Sequence, residues 1–301
     1  MSVLLIERLT RNQSIMWTKR LLFLVLAAAS ISFASAQIIS WKRIKGNGKV
    51  QTEERRIGQF DRLIVKGSMD VNIQQSTSGQ ALTIEAESNI LPLVETVVEG
   101  GTLVIKMKPS LSISINKGVR IRITTPQLSE AELHGSGDIT FAGKFRLRSL
   151  RIELSGSGDI TFANATIAND LNVSLRGSGD IRGNILTGRN ATLSLAGSGD
   201  IDLSLGHPQR VEAGISGSGD IKIKGQTAFA ALKCSGSGDL ECRNLSAQQA
   251  DVRISGSGDG KLAVTEKLDI NLSGSAGFVC YGKPVIGTHK VSRSSSFRMV
   301  P

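Results

Sequence analysis

Seven aspartates have the type and spacing for chemistry: Asp138, Asp159, Asp180, Asp200, Asp220, Asp239 and Asp259, each closing a Gly-Ser-Gly-Asp tetrad. A degenerate copy, Gly274-Ser275-Ala276-Gly277, ends the series. Carboxylates at regular intervals could act as acid and base, coordinate a cation, or bind the hydroxyls of a repetitive polymer. If the spacing stacks them, neighbours about 5 Å apart repel by about 0.8 kcal/mol in water and about 3 kcal/mol at an effective dielectric of 20. Three compensations are open. Each carboxylate could accept hydrogen bonds from the N–H groups of its own Gly-Ser-Gly bend or from the neighbouring serine hydroxyl, which is the reading we favour. Calcium could neutralise the column, as in nonapeptide β-rolls, although those are far richer in acidic side chains. A polysaccharide could also lie along it, but the chain is poor in the aromatic residues that usually form glycan platforms.

Catalysis is poorly served. Every repeat offers the same aspartate in the same setting, so nothing separates an acid from a base. His134 and His207, the histidines inside repeats, read as surface residues. No Gly-x-Ser-x-Gly elbow is present, and the tetrad lacks the Lys-Ser/Thr of a phosphate cradle while its acid would repel phosphate. We therefore expect no catalytic residue, no metal and no cofactor.

What must position the aspartates is a repeat. The starting glycines are 21, 21, 20, 20, 19, 20 and 18 residues apart, the mark of a stacked architecture. Before each tetrad an apolar pair alternates with mostly polar residues, as in Ala131/Leu133, Ile152/Leu154, Val173/Leu175 and Val252/Ile254. The alternation resumes in phase after it, as in Ile139/Phe141, Ile160/Phe162 and Ile221/Ile223. This is the period of a half-buried strand, with both glycines inward and Ser and Asp outward. Two strands and two bends per repeat predict one coil of a parallel β-solenoid, about eight coils in all, with the variable remainder of each coil as looser loop.

Residues 16–36 combine Lys19 and Arg20, an apolar run and Ala34-Ser35-Ala36, a secretory signal cut before Gln37, with Met16 as an alternative start. The net charge of +10 becomes +7 once four basic residues and one acidic residue leave with residues 1–36. The scattered basic residues read as wet strand faces rather than a nucleic-acid surface. No later run is long and apolar enough for a spanning helix. Cys234, Cys242 and Cys280 fall in inward columns and read as buried hydrophobes, with a 234–242 bridge the one pairing left open.

In chain order, residues 37–56 read as a flexible lead-in and 57–290 as the solenoid domain, with regular repeats over 131–285. Leu63 to Ile73 fit an early coil. Alternating runs over 74–130, with a Gly100-Gly101 turn, predict β-hairpins that cap the open end. Residues 291–301 read as a tail.

Phe60-Asp61-Arg62-Leu63-Ile64-Val65-Lys66-Gly67-Ser68-Met69-Asp70-Val71, the repeated Gly-Ser-Gly-Asp-Ile, and Ser273–Phe278 followed by Tyr281-Gly282-Lys283-Pro284 resemble the auto-transporter adhesin "head GIN" domain of exported bacterial proteins, over about residues 57–287. The resemblance implies an all-β, right-handed parallel β-helix at the cell envelope, an adhesive role and no established catalytic residues. No membrane-barrel strands follow the repeats, so the chain is not expected to export itself. The expected function is a non-catalytic exported solenoid that meets envelope or extracellular glycans or proteins, in the periplasm, at the cell surface or outside the cell. The competing expectation is a polysaccharide-processing enzyme on the same scaffold, which would need one coil with a unique acid, base and groove aromatic.

Overall fold

The computed structural model describes residues 42–109 and 111–301, and residues 43–301 form one compact unit. The expected signal segment, residues 1–36, lies outside the described residues. The described chain has no α-helix, and none of its helices is long and apolar enough to cross a membrane.

The unit is a parallel β-solenoid. Its first face stacks Arg62–Gly67, Glu130–Gly135, Leu150–Gly156, Asp170–Gly177 and Asn190–Gly197 in unbroken register, so that Val65, Leu133, Leu154, Leu175 and Leu195 form one inward column. Ile139, Ile160, Ile181 and Ile201 begin the second face after the Gly-Ser-Gly-Asp corner. Each of these apolar residues is buried, whereas the alternate residues face outward, as the period-two pattern requires.

The segment expected to be looser loop is instead a third paired face. Lys144–Leu147 pairs with Asn164–Ile167, and Gly225–Thr227 with Leu245–Ala247. Phe145, Ile167, Ile185, Leu205 and Leu245 on this face are buried. The register slips between the second and third faces, between Phe141 and Lys144 for example, and such bulges hide the face from a simple alternation. The core is thus a triangular prism of Ile, Leu and Val, with Phe141 stacked on Phe162 at 4.1 Å between ring centroids.

At both ends, segments that read as lead-in or tail are paired strands. Residues 81–125 lie against the first coil: Thr102–Met107 and Arg120–Thr125 add parallel strands below it, and Val94–Glu99 and Ala81–Glu87 cover those strands antiparallel. The lead-in joins these strands, because Val50–Arg55 pairs antiparallel with Ala81–Glu87. Glu87, fully buried, fastens the corner: its carboxylate accepts the Gly48 N–H at 2.6 Å and the Asn116 N–H at 3.0 Å. At the far end the expected tail is a further coil. Val285–Val291 pairs with Lys267–Leu272, and Ser296–Val300 with Gly277–Tyr281.

Cys234, Cys242 and Cys280 are free and buried, so the 234–242 bridge left open is absent. Burial raises all three thiols, Cys242 to about 12 and Cys280 to about 11.

Candidate functional site: the aspartate corner

The corner between the first and second faces is built by main chain meeting main chain. The Ser157 and Gly158 N–H groups both donate to the Gly135 carbonyl, at 3.0 and 3.2 Å, and Ser178 and Gly179 repeat this on Gly156 at 2.9 and 3.3 Å. The coils approach so closely here that a Cβ on Gly158, Gly179, Gly199 or Gly219 would lie 1.8 Å from the glycine carbonyl oxygen of the coil before. Only glycine fits, which is why the second glycine of the tetrad does not vary from Gly137 to Gly258.

With the first glycine's carbonyl taking two donors, the aspartate N–H has no main-chain acceptor below it. The preceding aspartate supplies one. Asp159 N–H donates to Asp138 Oδ1 at 2.9 Å, Asp180 to Asp159 at 2.9 Å, Asp200 to Asp180 at 2.7 Å, Asp220 to Asp200 at 3.0 Å, Asp239 to Asp220 at 2.9 Å and Asp259 to Asp239 at 2.7 Å. The carboxylate therefore serves as a substitute carbonyl that bridges coils. These bonds join the seven aspartates into one column, and the donor belongs to the next coil and not to the aspartate's own bend.

The column is also longer than the tetrads alone. Asp138 N–H reaches Asp70 Oδ1 at 3.4 Å and Gly277 N–H reaches Asp259 Oδ1 at 2.9 Å. Asp70, in Gly67-Ser68-Met69-Asp70, was visible as a member of the coil register but not as a member of the ladder. Interposing an N–H dipole between successive carboxylates offsets the repulsion that a bare column would carry.

What remains for a ligand is the outer edge of the corner. The central serines, Ser136, Ser157, Ser178, Ser198, Ser218, Ser237 and Ser257, are solvent-exposed, and the second oxygen of each aspartate takes no part in the ladder bonds. Arg182 binds that second oxygen of Asp180, and Lys224 approaches Asp202 at 3.6 Å on the adjoining face. Among the described residues no group of three or more His, Cys, Asp or Glu has the arrangement to hold a metal ion. His134 is a surface residue hydrogen-bonded to Glu132 at 2.8 Å.

The family model described as "Putative auto-transporter adhesin, head GIN domain" matches residues 59–184 and again 166–284. The chain belongs to the head GIN family. Its solenoid is shared with solved structures. That of a "putative lipid binding protein" from Parabacteroides distasonis is 26% identical, with a TM-score of 0.66 over 86% of this chain and 100% of that one. A "putative adhesin" from Parabacteroides merdae, 19% identical, has a TM-score of 0.63 over 86% of this chain and 100% of that one. A comparison with curated proteins returns no match. The two overlapping matches to one chain agree with a stack in which successive coils are near copies, so that the head GIN pattern is met in either half.

Proposed function

We propose that this head GIN protein is an exported, non-catalytic solenoid that binds other molecules at the cell envelope in the manner of an adhesin. One observation carries the reading: at the corner every aspartate has the same donor and the same exposed serine, coil after coil. Such uniformity suits recognition of a repetitive surface and is unsuited to catalysis, which needs two carboxyl groups held in different environments. No coil breaks the pattern with a distinct acid, base and aromatic, so the polysaccharide-processing alternative has nothing to support it here. Envelope or extracellular glycans and proteins are the partners that this reading admits. The test is binding of the purified chain, residues 37–301, to arrays of bacterial and host glycans and to whole cells. Saturable binding without turnover of the bound polymer is expected. Depolymerisation of a bound glycan, or no binding to any surface, overturns the proposal.

A second reading has an observation of its own. A cleft of about 580 Å³ opens beside the cap, lined in part by Ile57, Phe60, Pro126 and Gln80, and the 26% identical neighbour is described as lipid-binding. Flotation with phospholipid vesicles separates this reading from adhesion to glycans.

A further inference from the structure

Gly214 is a glycine the fold does not require. It lies inside the strand Arg210–Ile215, faces outward on the first face, and a Cβ built on it would meet nothing within 4 Å. The tetrad glycines are forced by the coil below them, and many turn glycines by positive φ; Gly214 is forced by neither. A glycine in a strand interior weakens the strand, and it often marks a place where another molecule approaches the backbone closely.

Its neighbours in the same outward row are equally uneconomical. The register runs Ser194, Gly214, Lys233, Arg253, placing two cations side by side on adjacent strands, an arrangement that costs stability. Lys233 is exposed and has no carboxylate partner among the described residues. Where local rules are broken without a folding gain, function is the usual reason.

These residues surround a depression of about 370 Å³ with Gly214 and Ala231 in its floor. On one side Arg210 stands over the Phe229 ring at 4.4 Å and is held by Glu212 at 2.6 Å. On the other Arg253 is held by Asp251 at 2.7 Å. Beyond Arg253 the groove continues toward Lys290 in a second depression of about 630 Å³. The two guanidinium groups are fixed by their carboxylates, and Lys233 is left as the unsatisfied cation.

We propose that this groove on the first face is a binding site for an acidic oligosaccharide. A sugar carboxylate over Gly214 would meet Lys233 and Arg253, while Glu212 and Asp251 keep free lone pairs to accept from sugar hydroxyls. The half-buried Phe229 edge offers the apolar contact a sugar ring needs. The same two carboxylates oppose a compact dianion such as phosphate, which brings two charges and few donors. The groove's passage across several coils suits an oligomer rather than a single sugar. The inference rests on the binding reading above and names a ligand class, but places it away from the aspartate corner.

The test is calorimetric titration of the chain, residues 37–301, with trigalacturonate, with oligomers of glucuronate and mannuronate, with neutral galactotriose and with inorganic phosphate. Binding of at least one uronate oligomer, weakening as salt rises, is expected, with little binding of galactotriose or phosphate. Lys233→Gln and Gly214→Val should each weaken it about tenfold or more with no fall in melting temperature. Gly214→Val has open space for its side chain, so misfolding does not confound it. Failure of every uronate to bind, equal binding of phosphate, or uronate binding that survives both variants overturns the inference. If glycan-array or cell binding persists under any of those outcomes, the adhesin reading stands without it.

Discussion

Asp159 Oδ1 lies 2.9 Å from the main-chain nitrogen of Asp180, and the same bond recurs one coil further at each step of the stack. The aspartate thereby completes a backbone ladder that the glycine corner would otherwise leave one acceptor short.

Removing that acceptor orphans a donor in the next coil. Asp200→Ala should destabilise the protein by about 1–3 kcal/mol, the cost of an unsatisfied polar group, because Asp220 N–H loses its partner. Asp200→Asn keeps a carbonyl oxygen in place and relieves charge crowding, so a change below about 1 kcal/mol is expected. Urea denaturation of both variants decides the matter: equal damage would mean that charge, and not the acceptor, is what the coil needs.

The ladder oxygen is already committed to an N–H, so calcium has little to gain there. Melting temperatures in EDTA and in millimolar calcium should agree. A calcium-dependent rise of many degrees would make the column a metal site instead.

Glycines of the two kinds should respond oppositely. Gly199→Ala drives a methyl group to 1.8 Å from the Gly179 carbonyl and is expected to cost about 3 kcal/mol or more. Gly214→Ala meets nothing and reduces the freedom of the unfolded chain, so it should stabilise by about 0.5–1 kcal/mol. Paired thermal melts check both.

Acid should act through the buried clasp and one surface pair. Burial alone would raise the Glu87 carboxyl, but N–H groups of Asn116 and Gly48 outweigh it and hold the pKa below the ordinary range. The Lys267 ammonium, followed by the Thr288 N–H, lowers Asp269 to about 2. A carboxylate depressed in the folded state contributes stability above its unfolded pKa and loses it as the pH falls through the folded one. The melting temperature should therefore be flat from pH 8 to about 5 and fall from about pH 4.5 toward 2. Glu87→Gln should lower stability at pH 7 and flatten part of that slope.

The thiols should be silent in the folded protein. With all three buried and their pKa values raised, a thiol-reactive dye at pH 8 is expected to label none of them until denaturant is added. Labelling of Cys242 under native conditions would contradict the packing described for the second face.

The first two faces were legible in the sequence because both sides of their strands are unambiguous: Ile152 and Leu154 are inside and Glu153 is outside, repeat after repeat. The third face was not, since bulges such as that between Phe162 and Ala165 put its apolar residues out of phase with the strand before. The last coil escaped notice for another reason. Val285–Val291 packs against the stack on one side only, so Val285 is 72% exposed and the strand carries little alternation. Val50–Arg55 is similar, an outermost strand of mostly polar residues whose pairing, not its pattern, makes it part of the sheet. The aspartate column was predictable from spacing, but the direction of its bonds depends on where the glycine carbonyls spend their lone pairs. The Gly214 groove was foreshadowed only by a glycine and two cations where the row should have carried ordinary polar residues.

The bonds of the aspartate ladder all point one way: an earlier coil always supplies the carboxylate, and a later coil always supplies the N–H, from Asp70 to Gly277. A chain made from its N-terminus thus meets, at every turn, an acceptor already set for the segment about to arrive. Assembly on such a template is polar, like the growth of a filament from one end. Deletions that begin at the C-terminus therefore leave every remaining aspartate N–H of the ladder with its carboxylate, whereas a deletion of the first coil strands the N–H of Asp138.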